Sequence, residues 1–353
     1  MAKGVLEALP SARVLLFPMS DGGEGALECL GSGIRTLEVG AHDPLGRPMT
    51  GCYVLKSKTA LIELAVCSGL TLLTALERDP LRASTFGTGE LIKAALEHDI
   101  DEVLLFLGGS ATVDGGSGIL RALGARFLDA RGQDLPEGGA ALEQLHTLDL
   151  SGLDSRLERI ALRLACDVNN SLLGPDGAAA VFGPQKGAGP LEVAMLERAL
   201  KHFADVLEHS CGTRVHDLAG GGAAGGVAAG LYGVLGPENC TLERGAALIA
   251  DAIGLSEALE HADLILTGEG QLDAQSGGGK VVSHLLEQAQ KRGIPVVVVA
   301  GQVDGLLEGT LPGLHAAYSL VSSEVSLGMA LLEPEKYLEQ RVLEAVKNFI
   351  SQR

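Results

Sequence analysis

Tryptophan is absent from the 353-residue chain, and aromatic residues make up only 3% of it. So few rings leave little for base stacking, which argues against single-stranded nucleic acid as a partner. Positive charge is also scarce: 27 Lys and Arg against 45 Asp and Glu give a net charge of −18, a field that repels nucleic acid and anionic lipid alike. Any anionic ligand must be held by local groups. No apolar run approaches the ~18 residues of a membrane span, and the opening MAKGVLEALPSA lacks the apolar core of a signal peptide. The six cysteines, at 29, 52, 67, 166, 211 and 240, include no C-x-x-C pair. Neither a zinc ribbon nor a disulfide framework is indicated, and reduced thiols in the cytoplasm are expected. The chain has no G-x-S-x-G, H-E-x-x-H or H-R-D motif, and its nine histidines lie apart from the glycine clusters. Serine hydrolase, zinc enzyme and protein kinase are thereby set aside.

What is present is aliphatic and glycine-rich: 46% of residues are hydrophobic and 49 are glycine. At roughly 150 residues per domain the length predicts about two domains. Short apolar runs at Val14–Phe17, Val103–Leu107, Leu264–Leu266 and Val296–Val299 end in glycine-rich turns, as strands buried on both faces of a parallel sheet do. Helical patterns alternate with them, so an α/β fold is expected. Thr36–Val39, Gly51–Leu55 and Ala60–Leu64, around the turn Asp43-Pro44-Leu45-Gly46-Arg47-Pro48, read as an antiparallel meander. Leu196, Leu200, Phe203 and Leu207 form one helical stripe over 192–208, read as core. A last helix follows Pro334, with Leu338, Val342, Val346 and Phe349 on one face. The expected organisation is a Rossmann- or flavodoxin-like parallel-sheet domain (1–38, 82–122 and 251–353) carrying an inserted mixed α/β domain (39–81 and 123–250).

Six segments carry candidate chemistry. Ser20-Asp21-Gly22-Gly23-Glu24-Gly25 follows the first apolar run; Asp21 and Glu24 read either as a helix-capping box or as carboxylates at the end of a parallel strand, where open α/β sheets bind ligands. Ser84-Thr85-Phe86-Gly87-Thr88-Gly89 opens a helix and suits a plain cap or an anion. Gly108-Gly109-Ser110-Ala111-Thr112-Val113-Asp114-Gly115-Gly116 has more glycines, hydroxyls and acid than a turn needs, and reads as a ligand loop. Cys166-Asp167-Val168-Asn169-Asn170 is followed by Phe182-Gly183-Pro184-Gln185-Lys186-Gly187, where Lys186 is either a solvated loop residue or a point charge for phosphate or carboxylate. Gly220-Gly221-Gly222-Ala223-Ala224-Gly225-Gly226 matches G-x-G-x-x-G without the strand and ribose acid of a dinucleotide site, so close helix packing or backbone approach to a ligand is preferred. Thr267-Gly268-Glu269-Gly270-Gln271-Leu272-Asp273, then Gly277-Gly278-Gly279-Lys280, places acids past a buried strand and a lysine at a helix start, and is not a Walker A loop. Acid-bearing glycine loops and loop lysines together favour phosphates and a metal over redox or hydrolytic chemistry.

The strings SDGGEG, STFGTGELIKAAL, LGGSATVDGGSGILRALGARF, CDVNNSLLGPDGAAAVFGPQKGA, GGAAGG and TGEGQLD with a later GK, in this order, resemble the bacterial glycerate kinase family across nearly the whole chain. The resemblance implies ATP- and Mg²⁺-dependent phosphorylation of glycerate in a cleft between two α/β domains. Asp21, Asp167, Lys186 and Lys280 are the expected catalytic groups. Substrate and phosphate contacts are expected from Gly22, Gly23, Glu24, Ser84, Thr85, Gly87, Gly108, Gly109, Ser110, Thr112, Gln185, Gly268 and Gly270, and metal contacts from Asp114, Glu269 and Asp273. Glycerate and a nucleotide are the expected partners, with no nucleic acid and no membrane.

Relatives usually carry Ala at Ser20, Asn at Val113, Asp at Asn169 and Arg at Gln271; the last change removes a permanently charged, bidentate donor. They also open with a strand and a PDSFKGS-type loop that do not precede the helix at Met1–Leu9 here. The expectation is a shortened chain with an unpaired strand edge and impaired catalysis, or a substitute element in that place. Rival readings are a homologue that binds ligand without turnover, a kinase of another small hydroxy acid, and a Rossmann oxidoreductase.

Overall fold

The computed structural model describes residues 1–23, 25–30, 34–272, 280–303 and 311–352. Its helices are α1 (Ala2–Ala8), α2 (Ala65–Ser68), α3 (Phe86–Ala95), α4 (Ser117–Ala122), α5 (Pro190–Cys211), α6 (Ala223–Leu235), α7 (Gly245–Ala252), α8 (Leu255–Leu259), α9 (Lys280–Arg292), α10 (Leu327–Leu332) and α11 (Pro334–Ser351). The strands are β1 (Arg35–His42), β2 (Pro48–Lys56), β3 (Thr59–Glu63), β4 (Glu102–Phe106), β5 (Arg126–Leu128), β6 (Thr147–Asp149), β7 (Ala161–Ala165), β8 (Cys240–Glu243), β9 (Ile265–Leu272), β10 (Val296–Val303) and β11 (Leu314–Ser319). The fold is α/β, as expected. Among the described residues no helix is long and apolar enough to cross a membrane. The chain divides into two compact units, residues 20–249 and residues 1–19 with 250–353.

Residues 20–249 are built on one six-stranded sheet in the order β1-β2-β3-β4-β7-β8. The expected meander is there: β1, β2 and β3 pair antiparallel, and the Asp43 carboxylate closes the first turn by accepting from the amides of Leu45 and Arg47, each at 2.9 Å. Strands β3, β4, β7 and β8 run parallel. The expected boundaries are corrected here. Val103, Leu104 and Leu105 are buried on both faces, which demands a central slot, and β4 finds it between β3 and β7 rather than beside β9 or β10. Residues 82–122 therefore belong with the meander. The predicted stripe on α5 is core, with Leu196, Leu200, Phe203 and Leu207 fully buried; Pro190 opens that helix and Gly212, at φ +72°, ends it.

Residues 1–19 and 250–353 carry a three-stranded parallel sheet, β11-β10-β9. Alternation along β10 sorts its two faces: Val296, Val298 and Ala300 pack with Val282, Leu285 and Leu286 of α9, and Val299 packs with Val342 and Val346 of α11 and Val5 of α1. The last helix docks on this unit, as its stripe predicts. Val14–Phe17 is not the strand expected from its apolar run. Leu15 and Leu16 face outward, Phe17 and Met19 turn in against the core, and Pro18 between them has no amide to give a ladder.

Candidate active site

The parallel strands of residues 20–249 end level with one another. Glu63, Phe106, Ala165 and Glu243 are register partners across β3, β4, β7 and β8, so the loops beginning at 64, 107, 166 and 244 leave the sheet side by side at its carboxyl edge, the ligand-binding edge of such sheets. The segment around Asp21 lies on this row. Gly22, at φ +82°, is so close that a Cβ there would stand 2.9 Å from the Gly245 Cα, 3.3 Å from the Ala165 Cβ and 3.4 Å from the Phe106 ring. Only glycine fits that conformation and that gap.

Two predicted carboxylates meet here. Asp167 Oδ1 accepts from the Gly245 amide at 3.0 Å, and Asp21 Oδ1 accepts from the Gly23 amide at 3.0 Å. A Cβ on Gly245 would strike the Asp21 carbonyl and lie 2.8 Å from Asp167 Oδ2, so the two residues flank one glycine. Both are partly exposed. Glu24, the other half of the expected capping box, lies outside the described residues; the turn that follows is a 3-10 helix, Ala26–Leu30, held over β3 by the Leu27 amide donating to Glu63 Oε1 at 2.8 Å.

The loop after β4 splits into an outward part and a locked part. Gly109 is exposed and Gly108 half-buried, whereas Ser110 to Gly116 are buried. Lys186 is itself only 2% exposed, and its Nζ donates to Ser110 Oγ at 2.8 Å and to the Thr112 carbonyl at 2.7 Å. Burial lowers its pKa to about 7, against the attraction of Asp114. The expected exposed point charge is thus an internal strap. A π-turn at Ala178–Phe182 and a 3-10 turn at Pro184–Lys186 deliver it, with the Phe182 ring 6.0 Å from Nζ.

Asp114, expected at a metal, also has a place in the fold. Fully buried, its carboxylate accepts from the Thr85 amide and hydroxyl (2.9 and 2.8 Å) and from the amides of Gly116 and Gly118 (3.0 and 3.2 Å). Burial raises its pKa while these donors pull it down. Three of these donors meet Oδ2 and one meets Oδ1, so this acid ties the starts of α3 and α4 together. Thr85 is spent on the same knot, and Ser84 Oγ accepts from the Phe86 amide at 3.1 Å as a local cap. Gly87 serves packing, since a Cβ there would strike the His42 carbonyl. Two of the 220–226 glycines behave as the close-packing reading predicts: Gly225 and Gly226 lie against the backbone of Thr112 and Gly115. Thr112 Oγ1, also expected at the ligand, is buried without a hydrogen-bond partner.

In the other unit, Gly268, Glu269 and Gly270 lie within β9 and pair with β10, Glu269 opposite Ala300, not in a loop past a strand. Lys280 is the exposed first residue of α9. Asp273 and the 277–279 glycines lie outside the described residues. One residue that no motif marked is Arg78, whose Nη1 donates to the carbonyl of the exposed Gln185 at 3.3 Å across 107 positions of sequence. Only the fold brings them together.

The model of the glycerate kinase family matches residues 1–350. The glycerate kinase of Bacillus subtilis (strain 168) is 39% identical over 96% of this chain and 89% of its own length. The glycerate 2-kinase of Escherichia coli (strain K12) is 40% identical over 91% and 85%. A crystal structure provisionally named glycerate kinase 2, from Salmonella typhimurium LT2, superposes with a TM-score of 0.85 at 40% identity, covering 99% of this chain and 91% of that one. The match runs through both units: the chain belongs to the glycerate kinase family and is a small-molecule kinase.

Proposed function

We propose that this kinase transfers the γ-phosphoryl group of ATP, with Mg²⁺, to the 2-hydroxyl of D-glycerate, giving 2-phosphoglycerate and ADP. The observation that carries the reading is the level row of strand ends, which sets Asp21, Asp167 and the open Gly108–Gly109 turn on one edge. The choice of hydroxyl follows the name of the Escherichia coli relative.

Phosphoryl transfer asks a protein mainly for positioning and charge stabilisation. Asp167, anchored by the Gly245 amide through one oxygen, takes the proton of the attacking hydroxyl. Asp21 sits on a turn of two glycines that lets a ligand approach the backbone, and its oxygen donor set suits Mg²⁺, which binds through one or two carboxylates. Bound there, Mg²⁺ supplies neutralising charge to the phosphoryl oxygens. Gly108 and Gly109 offer backbone to the anion, held in place by Lys186 through Ser110. Lys280 opens α9 and supplies a cation to nucleotide phosphate. The cytoplasm is the proposed location, on the cysteine spacing.

Purified protein with D-glycerate, ATP and Mg²⁺ should release ADP and form 2-phosphoglycerate, distinguished from the 3-isomer by phosphorus NMR. A panel of hydroxy acids tests the acceptor. No ADP release with glycerate, or faster turnover of another acid, overturns this reading.

A further inference from the structure

Eight arginines of this acidic chain are spent on acids: Arg47, Arg126, Arg156, Arg163, Arg198, Arg214, Arg292 and Arg341 are all ion-paired. Arg78 is different. Half-buried, it has no carboxylate in ion-pairing range among the described residues; its one hydrogen bond runs from Nη1 to the Gln185 carbonyl, in an exposed setting. Its Nε is buried with no partner. The placement is enforced by backbone, since a Cβ on Gly187, at φ +104°, would stand 2.7 Å from the Arg78 carbonyl oxygen and 3.0 Å from the Arg78 Cβ.

The cation that the sequence assigns to this loop, Lys186, is buried and engaged. The charge at the loop's surface belongs to Arg78. A guanidinium presents five N–H groups in a planar fork that matches a carboxylate, and most of this fork is uncommitted. Of the two reactants only glycerate brings a carboxylate. We propose that Arg78 is a specificity residue that receives the carboxylate of glycerate, an assignment that rests on the glycerate kinase reading above.

Arg78→Gln, Arg78→Lys and, as a charge-matched control at an exposed site, Arg82→Gln test it by steady-state kinetics with melting curves. Arg78→Gln should raise KM for glycerate about 10- to 100-fold, the value of a charged hydrogen-bonded pair, and leave KM for ATP within about twofold. Preference for glycerate over glycerol should fall by the same factor, Arg78→Lys should recover little because it lacks the fork, and added guanidinium should restore part of the loss. Arg82→Gln should match the wild type. An unchanged KM for glycerate, or a rise confined to ATP, overturns the assignment while the kinase reading stands. Where wild type shows no turnover, the kinase reading fails instead, and calorimetric titration with D-glycerate decides: binding weakened in Arg78→Gln supports the assignment, and equal binding or none in wild type overturns it. Should Arg78→Gln not fold, Arg78→Lys carries the same comparison.

Discussion

The segments at 103–116 and 264–273 look alike as sequence: each is an aliphatic run followed by glycines, hydroxyl and acid. They fold differently. Strand β4 stops at Phe106, level with Ala165 of its neighbour β7, and the chain then leaves the sheet as a loop. Strand β9 continues through its glycines to Leu272, because β10 runs on beside it to Val303, and Gly301 meets the Gly270 carbonyl so closely that a Cβ would stand 2.6 Å away. Glycine content does not end a strand. The length of its partner does, and the same residue types become a loop in one unit and a ladder in the other.

The sharpest way to break this comparison is at Asp114. If its buried carboxylate is what locks the first loop, Asp114→Ala orphans the Thr85 amide and hydroxyl and the amides of Gly116 and Gly118, at ~1–3 kcal/mol for each buried group. A loss of about 4 kcal/mol or more in unfolding free energy is expected, read from urea denaturation. A stable variant with a raised Mg²⁺ requirement would return Asp114 to the metal. Asp167 is the contrasting acid on the same edge. Asp167→Asn can still accept from the Gly245 amide, so its melting temperature should hold while kcat falls about 100-fold or more, as loss of a general base does. An unaffected kcat removes Asp167 from the chemistry.

The contrast also marks how far the sequence is legible. Periodicity alone exposes the α5 stripe, the last helix and the meander, because each is a local pattern with one apolar face. Pairing partners are not local. Nothing in Val103–Leu107 says which sheet will take it, and so the boundaries at 82 and 122 are misplaced by pattern reading. At the site, residue type points to Asp21 and Asp167, which the fold brings together. Type cannot separate a lysine that meets a ligand from Lys186, whose burial depends on Ser110 and Thr112 some seventy positions away, and Arg78 carries no motif at all.

Lys186 offers a test with a definite sign. Its folded pKa of about 7 lies below the ordinary 10.5. Below pH 7 the amine is charged in both folded and unfolded chains, and the folded state bears the full cost of burying the charge. Between pH 7 and 10.5 the unfolded chain keeps a proton that the folded chain has released, so stability rises with pH across that window. Lys186→Met has no such proton. The wild-type unfolding free energy, measured relative to that variant at pH 6.5, 8 and 9.5, should climb by up to ~1.4 kcal/mol per unit above pH 7; a flat difference would mean that Nζ stays charged and solvated, and the first loop is not strapped from within.

The smallest expected effect bears on the second segment. Lys280 is the exposed first residue of the 13-residue helix α9, where the positive end of the helix dipole disfavours a cation by ~0.3–1 kcal/mol. The dipole works against a lysine at this place, and the proposed contact with phosphate would act in its favour. Lys280→Ala should leave the protein as stable as wild type or a few tenths of a kcal/mol more so, and should lower kcat/KM about tenfold with the loss carried in KM for ATP. A loss under about threefold, less than ~0.7 kcal/mol of transition-state stabilisation, would leave β9 and the start of α9 as scaffold. Phosphate recognition would then rest on residues 20–249, and two segments alike in composition would differ in purpose as well as in fold.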